Sequence, residues 1–175
     1  MKKYHPQDLN CLNQLIGKSV KDIYYQPVAG ILSYVDMFVV NFGEKAETSL
    51  HVFSFFRVTD KGGILLTTSD CFFDNNFERL TSELSDEARE DHYKGTLLSS
   101  NIEKVKGLLK NSKVINAYPT DIGDVIIEFD NSIKMEVIID ALCNQECYRF
   151  ISYTENPSQH NVVTCNNGVL FYNKE

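Results

Sequence analysis

The segment Ile31–Ser69 decides the fold. It reads ILSYVDMFVVNF, a charged turn, SLHVFSFFRV, a second turn and then GILLTTS. β-Branched and aromatic residues dominate the three apolar runs, and the turns between them are short and polar. Because strands joined by short turns pair antiparallel, the sequence predicts an antiparallel meander. Its strands are expected over 31–42, 49–58 and 64–68.

A helix and one more strand are expected before this segment. Leu9, Leu12 and Ile16 fall on one helical face. Their spacing predicts a helix over 6–16, and a short apolar run predicts a strand over 20–25. The first part of the chain is therefore a helix followed by four strands.

A weaker copy of this pattern recurs near the C-terminus, which predicts an internal repeat over 6–69 and 101–172. The expected fold class is α+β, with two similar helix-plus-antiparallel-meander halves packed as one β-rich domain over 1–175. The matched segments are Phe38–Phe42 with Val125–Phe129, Leu50–Val52 with Met135–Val137, and Phe56–Val58 with Tyr148–Phe150.

The connector over 70–100 is expected to be helical, acidic first and basic afterwards. Helical spacing of apolar residues predicts one helix from about Phe77 onward. Asn101 is expected to cap a second helix that carries Ile102 and Val105. Near the C-terminus, Asn-Gly between two apolar runs predicts a hairpin turn at 166–168.

Composition favours an ordinary globular protein of the cytoplasm. The chain has 175 residues, is 43% hydrophobic and carries a formal charge of −7. No apolar run approaches the roughly 20 residues that cross a bilayer, and no secretory signal is evident, so no membrane role is expected. The five cysteines are odd in number, which fits reduced thiols. The pair Cys143 and Cys147 could join a metal site, but buried apolar cysteines are the preferred interpretation, and no metal is expected.

The charge is unevenly distributed. Residues 70–91 carry eight acidic residues and two arginines, a net charge of −6, whereas residues 92–113 have a net charge of +4. A concentrated acidic surface speeds association with a basic partner, although a charged helix face is often only solvated. The basic stretch is interpreted as a solvated helix face or as the complement of the acidic one. The candidate partner-binding residues are Glu78, Glu83, Asp86, Glu87, Glu90 and Asp91.

Arg57 and Arg149 occupy equivalent places in the two predicted repeats, beside aromatic residues. An arginine within such a strand has to pair with a carboxylate or reach water. Asp70 is the candidate partner of Arg57, and Asp140 that of Arg149. These four residues form either a pocket for an anionic ligand or structural ion pairs. The second interpretation is preferred, because it explains a duplicated position without any ligand.

Catalytic motifs are absent from the sequence. His51 and His92, with Asp36 or Asp124 as an orienting carboxylate, are the residues from which acid–base chemistry would be built. No nucleophile stands in a G-x-S-x-G setting, and phosphate-loop and dinucleotide motifs are missing. We therefore expect no catalytic residues and no cofactor.

Three functional classes remain open. The leading hypothesis is a small cytosolic, non-enzymatic protein-binding module, of the inhibitor or toxin-neutralising type, that uses its acidic surface against a basic partner. The second is a small-molecule-binding domain or enzyme with a pocket between the two halves, and the third is a structural homo-oligomer such as a homodimer. Nucleic-acid binding is disfavoured by the negative net charge.

Overall fold

The computed structural model describes residues 1–26, 37–80, 91, 93–139, 145–154 and 157–175. Within these ranges the chain forms an α-helix, two 3₁₀ helices and twelve β-strands. The helices are η1 (Pro6–Leu15), η2 (Thr68–Phe72) and α1 (Leu97–Leu109). The strands are β1 (Lys2–Lys3), β2 (Val20–Gln26), β3 (Met37–Phe42), β4 (Thr48–Val52), β5 (Phe55–Asp60), β6 (Gly63–Thr67), β7 (Val114–Pro119), β8 (Val125–Phe129), β9 (Lys134–Ile138), β10 (Gln145–Ser152), β11 (Gln159–Asn166) and β12 (Val169–Lys174).

The strands form two antiparallel sheets that pack face to face. Sheet A has the order β1-β12-β11-β10-β4-β3-β2, and sheet B has the order β6-β5-β9-β8-β7. The rings of Phe38 in sheet A and Phe56 in sheet B lie 4.2 Å apart, centroid to centroid. Buried residues of both sheets and of the helices belong to one hydrophobic core. The protein is thus β-rich, in keeping with the predicted α+β class.

The helices lie beside the outermost strands of the sheets. α1 contacts β2 of sheet A and β6 of sheet B, whereas η1 contacts β7. Leu98, Ile102, Val105 and Leu109 are the buried residues of α1, and they share one face because helical neighbours recur every three to four residues. The predicted N-terminal helix is present as 3₁₀ structure with a kink at Leu9.

The two parts of the chain have the same order of strands. In the N-terminal half, β2, β3 and β4 form a three-stranded meander, and the hairpin β5–β6 joins the other sheet beside β9. In the C-terminal half, β7, β8 and β9 form the meander, and the hairpin β10–β11 joins the other sheet beside β4. The correspondence covers β2–β6 and β7–β11 only, because β12 and β1 extend sheet A beyond β11 and have no equivalents in sheet B.

The register of pairing is also the same in the two halves. Arg57 in β5 lies opposite Glu136 in β9, and Arg149 in β10 lies opposite His51 in β4. The first strand of each meander has its register shift at the same point, after Val20 in β2 and after Val114 in β7. The sequence matches equate Arg57 with Arg149 and His51 with Glu136.

Two predicted features of the strands are wrong. The run 49–58 is not one strand but two, β4 and β5, which lie in different sheets. Only Phe53 and Ser54 separate them, and the Phe53 N–H donates to the carbonyl of Cys147, 2.9 Å away. Because the chain changes sheets here, neither half is a continuous meander of four strands.

Two predicted helix starts are wrong as well. Phe77 has a φ of +63° and is exposed, so no α-helix begins there. Helix α1 begins earlier than expected and is capped by Thr96, whose side chain accepts from the Ser99 N–H. Asn101 lies inside this helix, and its side chain binds Asp70. Of the expected connector helix, residues 81–90 lie outside the described ranges.

The hairpin predicted at 166–168 is confirmed. β11 ends at Asn166 and β12 begins at Val169, so Asn167 and Gly168 form a two-residue turn. Both have positive φ values, 52° and 76°, which is the conformation that Asn-Gly favours. No helix in the described part of the chain has the length and apolar character needed to span a membrane.

Gly123 provides a test of the packing between the sheets. Its φ is +95°, and an added Cβ would collide with the side chain of Leu170. Its carbonyl also accepts a hydrogen bond of 3.0 Å from the buried Tyr148 hydroxyl. We expect Gly123→Ala to lower the free energy of unfolding by about 2 kcal/mol, measured by urea denaturation.

The matched control is Gly107→Ala in α1, where an added Cβ meets nothing within 4 Å. This substitution is expected to raise the free energy of unfolding by about 0.5–1 kcal/mol, because alanine is the better helix former. Equal effects of the two substitutions would show that Gly123 is not constrained as described.

Candidate functional site

Arg57 and Arg149 point away from the core. Arg57 alternates with the buried Phe56 and Val58 in β5, and Arg149 alternates with the buried Tyr148 and Phe150 in β10. Because successive side chains of a strand face opposite sides, the two arginines lie on the outer faces of sheets B and A. The structure therefore does not bring them together in one pocket between the halves.

Arg57 is paired with Glu136, not with Asp70. Its Nε donates to Glu136 Oε2 over 2.7 Å, and its Nη2 donates to Oε1 over 3.0 Å. The two residues are direct cross-strand neighbours, so the pair needs no further element to hold it. The hydrogen bonds to Glu136 raise the pKa of Arg57. The proposed pairing of Arg57 with Asp70 is corrected on this point.

Asp70 has a structural role at the junction of η2 and α1. Its Oδ2 accepts hydrogen bonds from the Thr67 N–H, 3.1 Å away, and from the Asn101 Nδ2, 2.8 Å away. Asp70 is buried, so its carboxylate is satisfied by a capping contact and by a helix side chain. It belongs to the framework that carries the acidic segment rather than to its surface.

Arg149 lies in a polar cluster on the outer face of sheet A. Its Nε and Nη2 each donate to Glu146 over 2.9 Å, and its Nη1 lies 3.2 Å from His160 Nδ1. A guanidinium can only donate, so His160 accepts at Nδ1. His51 is the cross-strand neighbour of Arg149. Asp140, the predicted partner of Arg149, lies outside the described residues.

His51 is held neutral by its surroundings. Burial, with a smaller contribution from the positive charge of Arg149, lowers its pKa to about 4. A neutral imidazole beside an arginine can accept a proton only at a pH well below neutrality. Its position corresponds to that of Glu136 in sheet B, so the carboxylate that pairs Arg57 is replaced here by a histidine.

The outer faces of the two sheets differ. The outer face of sheet B carries the cross-strand pair of Arg57 and Glu136. It also carries a separate ion pair, in which Lys134 Nζ lies 2.7 Å from Glu128 Oε1. On sheet A, Val39, Ser49, Ile151 and Val162 point outward and yet are at most 5% exposed. The outer face of sheet B thus carries ion pairs, whereas the outer face of sheet A is largely buried.

The acidic segment is described at its two ends. Glu78 and Asp91 are exposed, and Asp91 pairs with Lys94 over 3.3 Å. Asp74 is partly buried and binds the backbone N–H groups of Asn76 and Glu78 through its Oδ1. The candidate residues Glu83, Asp86, Glu87 and Glu90 lie outside the described ranges.

A groove lined by lysines runs between α1 and the start of β2. Its volume is about 970 Å³. Lys18 and Lys21 line it from the first half of the chain. Lys106, Lys110 and Lys113 line it from α1 and the residues that follow. The sequence showed the second group as a basic strip, but only the fold places the first group beside it.

Lys106 alone among these five lysines takes part in an ion pair found within the described ranges. Its Nζ lies 2.9 Å from Asp22 Oδ1 and 2.9 Å from Glu103 Oε1. Burial alone would lower the pKa of Lys106, but its two carboxylate partners raise it. The other lysines keep their charge available to a ligand.

Carboxylates also line the groove. Besides Glu103, these are Glu44 and Glu47, from the turn between β3 and β4. Glu47 Oε2 is buried and has no hydrogen-bond partner among the described residues. The carboxylate lies over Gly43, where an added Cβ would collide with it. The groove is therefore basic at its rim and has an acidic side chain with unused accepting capacity.

The structure describes four cysteines: Cys71, Cys147 and Cys165 are buried, and Cys11 is partly buried. Burial raises the pKa of Cys11 to about 11, so this thiol is protonated and unreactive near neutrality. In the part of the chain that the structure describes, no group of three or more His, Cys, Asp or Glu residues is placed to hold a metal ion. Cys143, the partner considered for Cys147, lies outside that part.

No protein-family model, no curated protein and no solved structure matches this chain.

The pairing of Arg57 with Glu136 can be measured by a double-mutant cycle. We expect the cycle of Arg57→Met and Glu136→Met to give a coupling of about 0.5–1 kcal/mol in the free energy of unfolding, because the pair is bidentate but partly exposed. Raising NaCl to about 0.5 M should reduce this coupling. The control cycle combines Arg57→Met with Asp70→Asn and should give a coupling near zero; a larger value would favour the rejected pairing.

His51 makes stability depend on pH in a defined direction. Its pKa is lower in the folded chain than in the unfolded chain, so the unfolded state binds the extra proton first as the pH falls. We expect the free energy of unfolding to drop by about 1 kcal/mol between pH 6.5 and 5 on account of this ring, which is partly exposed. His51→Gln should remove that part of the drop, and His5→Gln, at an exposed position, should leave it unchanged. A drop that persists in His51→Gln would contradict the assignment.

Proposed function

We propose that the protein works without catalysis, by binding a basic partner protein through its acidic segment 70–91. An inhibitor or toxin-neutralising protein is the type of molecule that acts in this way. Association of this kind depends on surface charge and shape rather than on reacting groups. The proposal is supported by where the fold attaches the segment.

The observation that carries the proposal is the closed base of the acidic segment. Asp74 forms a β-bridge with Thr96, and Phe73 forms one with Arg79. The Leu97 N–H donates to the Phe73 carbonyl over 2.8 Å. The chain therefore leaves the framework and returns to it at the same place, which is where the acidic segment is attached.

At the described ends of the segment, Asp91 pairs with Lys94, and the other acidic residues differ in their roles. Asp70 and Asp74 serve the framework, and Glu78 is exposed without an ion pair among the described residues. Charges held within about 8 Å of one another act together on a partner at physiological ionic strength. Carboxylates that lie close together on a surface therefore attract a basic partner more strongly than scattered ones.

We infer further that the two halves are copies of one unit that exchange their C-terminal hairpins. The equal strand order, the equal register and the equivalent register shifts support this inference. In such a pair the shared positions maintain the fold, and positions that differ are free to acquire a role. The acidic segment lies between the copies and has no counterpart within either of them.

The proposal is tested by quantitative capture. The immobilised protein is expected to retain a partner from extract at about 0.15 M NaCl and to release it at about 0.5 M, because the attraction is screened. The variant Glu78→Gln/Glu87→Gln should reduce the amount retained at least tenfold.

The control variant Asp121→Asn/Glu175→Gln changes the net charge equally at exposed positions outside the segment. It should retain the partner as the unmodified protein does. Equal losses in both variants would contradict the proposal, because binding would then follow net charge. No loss in either variant would also contradict it, because binding would then not involve the acidic segment.

A further inference from the structure

We propose that the lysine-lined groove beside α1 is a second binding site, and that it takes an acidic, extended segment of a partner polypeptide. This site has the opposite charge to the acidic segment and does not depend on that segment's role. The lysines left unpaired in the groove, its carboxylates and its size support the proposal.

The unpaired lysines supply the attraction. Lys18, Lys21, Lys110 and Lys113 line the groove, and none belongs to an ion pair among the described residues. Against them stand Glu44 and Glu47, because Glu103 is already paired with Lys106. The groove is thus a basic surface on a chain whose net charge is −7. At physiological salt the screening length is about 8 Å, so a ligand in the groove responds to these lysines rather than to the distant carboxylates.

The backbone of the groove is not arranged to hold a phosphate. Phosphate sites commonly offer free backbone N–H groups from a glycine-rich turn. Here the N–H groups of Gly17, Lys18 and Gly43 donate to the carbonyls of Val114, Leu15 and Ser19 at 2.8–3.0 Å. The positive groups that remain are lysine ammonium ions, which bind carboxylates as point charges.

The carboxylates of the groove favour a polypeptide over a nucleic acid. Glu44 and Glu47 line the groove together with the lysines. They repel a phosphodiester backbone, which is charged at every nucleotide, more strongly than a polypeptide, whose backbone is neutral. A groove that holds lysines and carboxylates therefore suits acidic side chains carried on a neutral backbone.

The shape of the groove fits an extended segment. Its volume of about 970 Å³ is at the upper end of the range for compact ligands. It is bounded by elements from both halves of the chain, namely the β3–β4 turn, the start of β2 and the last turns of α1. A short stretch of polypeptide can lie along these elements and contact lysines from each.

The test uses a fluorescent 12-residue peptide rich in Asp and Glu, titrated with the full chain at about 0.15 M NaCl. We expect saturable binding in fluorescence anisotropy with a Kd below about 0.5 mM. The variant Lys18→Gln/Lys110→Gln/Lys113→Gln should weaken it at least tenfold. The control Lys3→Gln/Lys61→Gln/Lys104→Gln removes the same charge from exposed positions outside the groove and should change the Kd less than twofold.

Four outcomes would overturn the proposal. One is the absence of saturable binding to the peptide, and another is an equal loss in the two triple variants. The third is tighter, groove-dependent binding of a 12-nucleotide single strand or of tripolyphosphate, which would assign the groove to phosphates. Sedimentation of the unmodified protein completes the test, because a salt-sensitive dimer lost in the groove variant would make a second copy the occupant instead. Thermal unfolding of both variants confirms that each is folded.

Discussion

The pairing of β4 with β10 and of β5 with β9 is the constraint on which the structure depends. Each pairing joins a strand of one half to a strand of the other, in the same register. Because the hydrophobic core is shared between the sheets, neither half can bury its apolar faces alone. These central ladders then fix the outer faces of the sheets and the helices. The acidic segment and the lysine-lined groove are attached at the margins of the sheets.

The separation of charge along the chain has a physical counterpart in α1. The acidic segment precedes the N-terminus of this helix, and Lys106, Lys110 and Lys113 lie at or just beyond its C-terminal end. The partial charge of a helix is negative at its C-terminal end, so Lys106 in the last turn is favourably placed, whereas the first turn carries no acidic residue. A gain of a few tenths of a kcal/mol per residue would not require the lysines to converge with Lys18 and Lys21 on one groove. The helix dipole does not explain why these lysines converge on one groove, whereas a bound ligand would explain it.

The sequence was sufficient for the local structure and not for the pairing of distant strands. Strong β-forming runs and the Asn-Gly turn predicted most strands of the described ranges and the last hairpin, because these signals act over a few residues. The change of sheet at Phe53 and Ser54 has no such signal, since its cause is the approach of β9 and β10 from the other half. For the same reason the partner of Arg57 was missed: Glu136 is 79 residues away and becomes a neighbour only through sheet B. The sequence showed the lysines of one side of the groove as a basic run. The lysines of the other side are brought beside them only by the fold.

The pairing of strands from distant parts of the chain has a consequence for how the chain is made. During translation β4 emerges with β3 beside it but without its second neighbour β10, since Tyr148 opposite Val52 comes nearly a hundred positions later. The β5–β6 hairpin likewise lacks its partner strand until β9 has been synthesised. A nascent chain in this state presents unpaired strand edges on the ribosome, where chaperones act, and its folding is expected to be slow because distant segments have to meet first. Truncated products of this chain should therefore aggregate rather than accumulate as folded halves.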